Sequence, residues 1–184
     1  MSKNNWHAVA AAALLAALLG PAVDVAHALP DDAEQPIKIT ADQAMRDEKE
    51  GITVYKGNVR MSQGSLQLEA DKVTIFRIVE EADRIVAVGQ PARMEQQPSV
   101  DEAIVKARAG VIEYLQLEER VKLREDARLE QDGSIFTGEY IDYQLAKQRV
   151  RATSDTERED SRVEVVIPAR MLNRDDDSGA SQSE

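Results

Sequence analysis

Cysteine is absent from this chain of 184 residues, and histidine occurs twice, at His7 and His27. Without cysteine, the fold has no disulfide and must be held together by its core and its backbone hydrogen bonds. Both histidines lie in a segment that we expect to be removed, so the mature chain would lack both residue types. This absence excludes Ser–His and Cys–His nucleophilic catalysis and the usual zinc sites.

Basic charge and aromatic side chains are also scarce. Asp and Glu number 34 against 23 Lys and Arg, for a formal net charge of −11, and aromatic residues make up 4% of the chain. Binding to nucleic-acid phosphates needs a basic patch, so we expect no nucleic-acid partner. The low aromatic content leaves few surfaces on which bases or sugars could stack.

One long apolar stretch, residues 8–20, lies near the N-terminus. Lys3 precedes it and the sequence Ala26-His27-Ala28 follows it, which is the layout of a secretory signal peptide. A membrane span needs about 20 apolar residues, more than this stretch supplies. We therefore predict a signal peptide over residues 1–28, cleaved near Ala28–Leu29, and an exported mature chain.

The rest of the chain alternates apolar and polar residues in short segments, with Gly, Asp and Asn clusters roughly every 8–12 residues. This pattern predicts an all-β fold over residues 37–172. Many helix-forming residues over 117–131 leave an amphipathic helix open as the alternative there. We expect a flexible lead-in over residues 29–36 and a disordered acidic tail over residues 173–184.

Residues 57–71, GNVRMSQGSLQLEAD, are echoed by residues 125–139, EDARLEQDGSIFTGE. At this offset of 68 positions, Arg60 matches Arg128 and Gln63 matches Gln131. A slip of one residue would turn every inward side chain to solvent, so the shared alternation predicts two similar halves of antiparallel strands. The residues predicted to point inward are Tyr55, Val59, Met61, Leu68, Val73 and Ile75 in one half and Leu123, Ala127, Leu129, Phe136, Ile141 and Tyr143 in the other.

Two aliphatic sheet faces that do not close fully on each other would enclose an apolar groove. Burying an acyl chain there contributes about 0.8 kcal/mol per methylene, or roughly 8 kcal/mol for ten methylenes. A surface ion pair contributes about 0–1 kcal/mol, so an acidic protein can hold an acidic lipid by its tails. The alternative left open is a closed core, in a structural or adaptor jellyroll that binds proteins or glycans.

Other candidate sites lie on the outside of the predicted sheet. Residues 36–41 and 163–168 are β-prone and lie at opposite ends of the chain, and each could add to another molecule's sheet. Glu69 and Asp71 are predicted to face solvent, and no pattern of a metal site or of paired catalytic carboxylates is present. Arg60 and Arg128, which recur in both halves, are candidates to meet the phosphates of a lipid headgroup.

The motif from Gly57 to Val73, with its Gly-Asn-Val opening, Gln-Gly turn and Ala-Asp ending, resembles that of the periplasmic lipopolysaccharide transport bridge family, the OstA-like or LptA family. The Gly89–Ala92 segment supports the resemblance, which covers residues 36–172. In the second half, Glu125-Asp126 replaces the usual Gly-Asn, so the motif that predicts strand pairing is incomplete there.

This resemblance implies an open, twisted β-jellyroll in the periplasm that is not an enzyme and has no cofactor. Subunits would join head to tail and carry lipopolysaccharide between the membranes, with the acyl chains of its lipid A part in a hydrophobic groove. The implied groove adds Ile37, Ile39, Met94 and Tyr114 to the inward-pointing residues. The partner edges would be Ile37, Lys38 and Ile39 for an inner-membrane LptC-like protein, and Val163, Val165 and Ile167 for an outer-membrane LptD-like protein or the next subunit.

Overall fold

The computed structural model describes residues 32–78, 81–155 and 161–169, and most of these residues lie in β-strands. Short 3-10 helices are found at Asp32–Glu34, Gln116–Glu118 and Leu145–Lys147. The ten strands are β1 (Lys38–Thr40), β2 (Gln43–Asp47), β3 (Ile52–Gln63), β4 (Leu66–Ile78), β5 (Glu81–Gln96), β6 (Val105–Leu115), β7 (Arg120–Gln131), β8 (Ser134–Gln144), β9 (Arg149–Thr153) and β10 (Glu164–Val166).

All ten strands form one antiparallel sheet whose order follows the chain from β3 to β8. Strands β1 and β2 lie end to end along the outer side of β3, and β10 and β9 do the same along β8. The pairing path does not close on itself, so the sheet is open rather than a barrel. This confirms the predicted all-β, antiparallel, open architecture.

Every pairing from β3 to β8 is interrupted by a register shift at one level of the sheet, and the β4–β5 pairing has a second shift between Phe76 and Arg77. Examples are the shift between Lys56 and Val59 in β3 and that between Arg124 and Ala127 in β7. We call this level the fold line. It divides the sheet into leaf one, edged by β1 and β10, and leaf two, edged by β2 and β9. Leaf one comprises residues 59–70, 92–96, 105–109 and 127–138, and leaf two comprises residues 52–56, 72–78, 81–88, 111–115, 120–124 and 140–144.

The two leaves face each other across an apolar interior. Gln116, the first residue after β6, donates a hydrogen bond to Gln63 at the tip of β3 in leaf one, at 3.2 Å. These strands lie three places apart in the sheet, so they meet because the sheet bends back at the fold line. In β4, the inward side chains lie at even positions before the fold line, as at Leu68, and at odd positions after it, as at Val73. The same face of β4 is therefore buried on both sides of the line.

The predicted repeat is present as two similar halves. An offset of 68 residues maps β3 onto β7 residue for residue. Strand β4 starts three residues after Gln63, and β8 likewise starts three residues after Gln131. The left-handed backbone of Asn58, with φ of 47°, recurs at Asp126, with φ of 53°. The same bulge is therefore present although Glu125-Asp126 replaces Gly-Asn, and strand pairing in the second half matches that in the first.

Three further predictions can be compared with the residues that the structure describes. The segment 117–131 forms β7 after a 3-10 turn, not an amphipathic helix, because its apolar residues alternate with period two. The lead-in contains the 3-10 helix Asp32–Glu34, and the last strand covers Glu164–Val166 within the predicted 163–168. The signal peptide and the acidic tail lie outside the described residues and stay predictions. Within the described ranges, no helix is both long and apolar enough to span a bilayer.

Candidate functional site

The interior brings together every residue predicted for the groove. One apolar cluster contains the buried members, and the half-buried ones pack against it. The buried members are Val59, Met61, Leu68, Val73, Ile75, Met94, Tyr114, Leu123, Leu129, Ile141 and Tyr143, and the half-buried ones are Ile37, Ile39, Tyr55 and Phe136. Their shared location follows from the alternation within each strand and from the phase shift at the fold line.

Strands β5 and β6 supply a part of the interior for which the sequence predicted few residues. Ile85, Ala87 and Ala92 in β5 are buried, as are the small residues of β6. The signal was present in the segment VKARA at 105–109, where apolar residues alternate strictly with basic ones. Alanine carries little weight in such a pattern, because it is small and common on exposed surfaces as well.

The interior is closely packed. Leu68, Leu129 and Tyr143 are 0–1% exposed, so their side chains are covered by other protein atoms rather than by solvent. Burial raises the pKa of the Tyr143 hydroxyl above its ordinary value. The two leaves are joined covalently at the fold line, while their tips meet as separate edges. A guest between the leaves therefore has to replace side-chain contacts with its own.

A cavity of about 710 Å³ lies at these tips. We call it the mouth. Its lining combines the β3–β4 turn and the 96–102 segment of leaf one with Tyr114, Gln116 and Leu145 of leaf two. Carboxylates are prominent among its polar groups, because Asp32, Asp101, Glu102 and Glu119 all contribute.

The segment before β1 closes part of the mouth. The Asp32 carboxylate accepts hydrogen bonds from the Ser65 backbone N–H and from the Ser65 hydroxyl, both at 2.6 Å, and from Gln96 Nε2 at 3.0 Å. Gln63 Nε2 donates to the Gln35 carbonyl at 3.1 Å. Residues 32–35 are thereby fastened to the tip of leaf one, and we call them the strap.

The edge strands differ in exposure. Ile37 and Ile39 at the β1 edge are half-buried against the core, whereas Val163, Val165 and Ile167 at the β10 edge are 38%, 45% and 49% exposed. Among the described residues, the outer sides of β1 and β10 have no strand partner. Each edge therefore presents free backbone groups beside apolar side chains, as strand addition requires.

Ionisable groups cluster on the outer faces of the leaves instead of in the interior. Arg120 donates to both oxygens of Asp142, and this hydrogen bonding holds the pKa of Asp142 below its ordinary value. Glu113 lies between Arg84 and Arg124, at 3.4 Å from each. Glu69 and Asp71 are exposed, as predicted. Within the described ranges, no group of three or more potential metal ligands is present.

A folded, open antiparallel sheet with an apolar interior and, among the described residues, two unpaired edges places the chain in an all-β class of proteins. Residues 38–149 match the family model described as LptA/(LptD N-terminal domain) LPS transport protein. The chain belongs to this family.

Similar proteins carry related names. The lipopolysaccharide export system protein LptH of Pseudomonas aeruginosa is 40% identical over 139 residues, which cover 75% of this chain and 78% of that protein. The lipopolysaccharide export system protein LptA of Escherichia coli K12 is 29% identical over 185 residues, which cover 100% of this chain and 95% of that protein. The crystal structure of LptH, titled as the LptA-homologous periplasmic component of the lipopolysaccharide transport device of Pseudomonas aeruginosa, matches with a TM-score of 0.69 and 36% identity, covering 76% of this chain and 99% of that one.

Proposed function

We propose that this chain is a periplasmic lipopolysaccharide carrier that holds acyl chains between its two leaves and joins copies of itself into a bridge between the membranes. The observation that carries the proposal is the continuous apolar interior, which runs across the sheet from β1 to β9. Relatives named for lipopolysaccharide export support the choice of ligand. No catalytic step is needed for such a role.

Acyl chains enter this interior by replacing contacts that the side chains make with one another. Each methylene removed from water contributes about 0.8 kcal/mol, so one chain of ten to twelve buried methylenes contributes roughly 8–10 kcal/mol. That gain has to exceed the cost of separating the leaves at the mouth. The strap is hydrogen-bonded at the mouth and would move with the tip of leaf one.

The internal repeat supplies a template for joining copies. The offset of 68 relates β1 and β2 to the two parts of β6, since Lys38 corresponds to Lys106. Strands β9 and β10 occupy, beside β8, the places that the two parts of β5 occupy beside β4. The molecule already pairs β5 with β6 in its middle. A second copy adding its β1 and β2 to β10 and β9 would repeat that pairing between molecules.

This template predicts the register of the joint. Within the chain, Arg93 pairs with Arg108, Met94 with Ala107 and Glu95 with Lys106. The corresponding pairs between two copies are Glu164 with Thr40, Val165 with Ile39 and Val166 with Lys38. Val165 would then lie inward, as its equivalent Met94 does, and would continue the apolar interior into the next copy. At the other leaf, Arg149 would oppose Asp47, which is favourable for the charges.

The assignment of the two edges to the two membranes is taken from the family resemblance. The β1–β2 edge would meet an inner-membrane LptC-like partner, and the β9–β10 edge would meet an outer-membrane LptD-like partner. In both cases, backbone hydrogen bonding supplies affinity and the alternating side chains supply register.

The lipid site is tested by photo-crosslinking with purified lipopolysaccharide. A benzoylphenylalanine at Tyr55 or at Phe136 faces the interior, where each site already holds a half-buried aromatic ring. The same residue at Lys56, the outward neighbour of Tyr55, is the matched control. We expect lipid adducts at the inward positions and none at Lys56. Adducts absent from both inward positions would favour the adaptor with a closed core.

The joint is tested with engineered cysteines, which have no native background because the chain contains none. Lys38→Cys and Thr40→Cys chains are each mixed with Glu164→Cys and Val166→Cys chains and oxidised. Paired residues lie about 4.5–5.5 Å apart and diagonal ones about 7–8 Å, so the pairs 40–164 and 38–166 should crosslink well and the pairs 38–164 and 40–166 poorly. Equal yields in all four mixtures would contradict the register, and the absence of crosslinks would contradict the joint.

A further inference from the structure

Three arginines stand directly opposite one another on the outer face of leaf one. Arg93 of β5 pairs with Arg108 of β6, and Arg108 pairs with Arg128 of β7. Their inward neighbours Met94 and Leu129 are buried, so the three guanidinium groups point away from the interior. We call these residues the arginine row. Paired positions are about 4.5–5.5 Å apart, so the row gathers three positive charges within about 10 Å.

Like charges directly opposite across a strand pair are unfavourable, and neighbouring carboxylates compensate this row incompletely. Glu130 approaches Arg128 at 3.9 Å, while Glu95 approaches Lys106 at 3.9 Å. Glu69 of β4 stands opposite Arg93, but its ion pair is with Arg60, at 3.5 Å. Within the described ranges, Arg93 and Arg108 form no ion pair. Leaf two is arranged differently, because Glu113 lies between Arg84 and Arg124 and satisfies both.

A small cavity of about 180 Å³ lies over the arginine row. Its lining includes all three arginines and Lys106, together with the carboxylates of Glu95 and Glu130. A water molecule in the liquid occupies about 30 Å³, so this space admits an oxyanion with a few waters. A guanidinium group presents a planar fork of donors that matches two oxygens of a phosphate.

We propose that the arginine row is a binding site for a phosphate oxyanion, held by Arg93 and Arg108 with Arg128 beside them. The site lies on the opposite face of the sheet from the apolar interior and is therefore separate from the acyl-chain site. It does not depend on the proposed transport function. The phosphate comes either from the solution or from the headgroups of an anionic lipid surface, and the experiment separates these sources.

The mature chain is compared with two double variants. Arg93→Gln/Arg108→Gln removes two charges from the row. Lys56→Gln/Lys72→Gln removes two charges from exposed lysines that also oppose each other, on the outer face of leaf two. The control therefore matches the test variant in net charge and in strand geometry. Inorganic phosphate is titrated against each protein at constant ionic strength, with binding followed by NMR of the backbone amides and by thermal unfolding.

We expect saturable phosphate-dependent shifts around the row in the wild type and in the lysine control, and at least tenfold weaker binding in Arg93→Gln/Arg108→Gln. Without phosphate, that variant should melt above the wild type, because the opposed charges are gone. With phosphate, the wild type should gain stability and the variant should not. A purely structural role for the arginines would not produce this reversal.

Vesicles of phosphatidylglycerol and of phosphatidylcholine distinguish the sources. Retention on phosphatidylglycerol vesicles that depends on Arg93 and Arg108 identifies lipid headgroups, and phosphate binding without retention identifies a soluble phosphate. Equal weakening in both double variants would show a diffuse charge effect and overturn the proposal. Absence of saturable binding to phosphate and to vesicles would overturn it as well.

Discussion

Gly57 in β3 and Glu125 in β7 are equivalent positions of the repeat, and both have a left-handed backbone, with φ of 80° and 69°. This conformation costs a residue that carries a Cβ about 1–2 kcal/mol and costs glycine little. The two sites therefore predict opposite effects on the free energy of unfolding. Gly57→Ala should lower it, and Glu125→Gly should raise it.

The contacts around Gly57 set the magnitude. A Cβ there would overlap the carboxylate of Asp42, which accepts a hydrogen bond from Asn58 Nδ2 at 3.0 Å. Displacing that carboxylate removes one hydrogen bond, about 1 kcal/mol, in addition to the backbone cost. We expect Gly57→Ala to destabilise the protein by about 2–3 kcal/mol. Glu125→Gly should stabilise by about 1 kcal/mol, because the relief of strain is partly offset by the loss of the side chain that covers Gly110.

Urea unfolding of the mature chain measures both effects, and the m value should not change. Adding Asp42→Gly to Gly57→Ala removes the overlap, so the cost of the alanine should fall to about 1–2 kcal/mol in that background. A neutral Gly57→Ala, or a Glu125→Gly variant as destabilised as Gly57→Ala, would refute the equivalence of the two bulges and with it the fold line as a repeated feature.

Three further predictions concern the pH dependence, the core and the strap. Arg120 lowers the pKa of Asp142, so the ionised carboxylate stabilises the fold above about pH 4, and this contribution is lost as the pH falls further. In Asp142→Asn, the free energy of unfolding measured with urea should therefore fall less steeply at acidic pH. Leu129→Ala should lower the free energy of unfolding by about 3 kcal/mol, because it leaves a cavity in the interior. Leu117→Ala, at a site 69% exposed, should change it by less than about 0.5 kcal/mol. Similar values for both variants would contradict the packed interior. Asp32→Ala should speed hydrogen exchange of the Ser65 amide at least tenfold, and unchanged protection would show that the strap does not hold the tip of leaf one.

Much of the interior could be read from the chain because alternation is a property of each strand alone. Val59 and Met61 before the β3–β4 turn, and Leu66 and Leu68 after it, are inward by period two, and the structure buries all four. The repeat extended this reading to β7 and β8. Strands β5 and β6 were largely missed, since their inward residues include many alanines.

The fold line could not be predicted in this way. A bulge shifts the alternation of inward and outward side chains within one strand. Whether the whole sheet bends there depends on neighbouring strands that carry shifts at the same level. Gln63 and Gln116 meet because the whole sheet bends, and neither residue has a local signal for that contact. The strap could not be predicted for the same reason, because Asp32 accepts hydrogen bonds from Ser65 and Gln96, which lie far away along the chain.

The sequence by itself determined which side chains face inward, that the chain repeats after 68 residues, and that its edges are β-prone. Only the tertiary structure decided which residues stand opposite one another, including the arginine row and the mouth. The physical reason is that the inward face follows from bonds within one strand, whereas register accumulates over every bulge between strands and is fixed when the sheet is assembled.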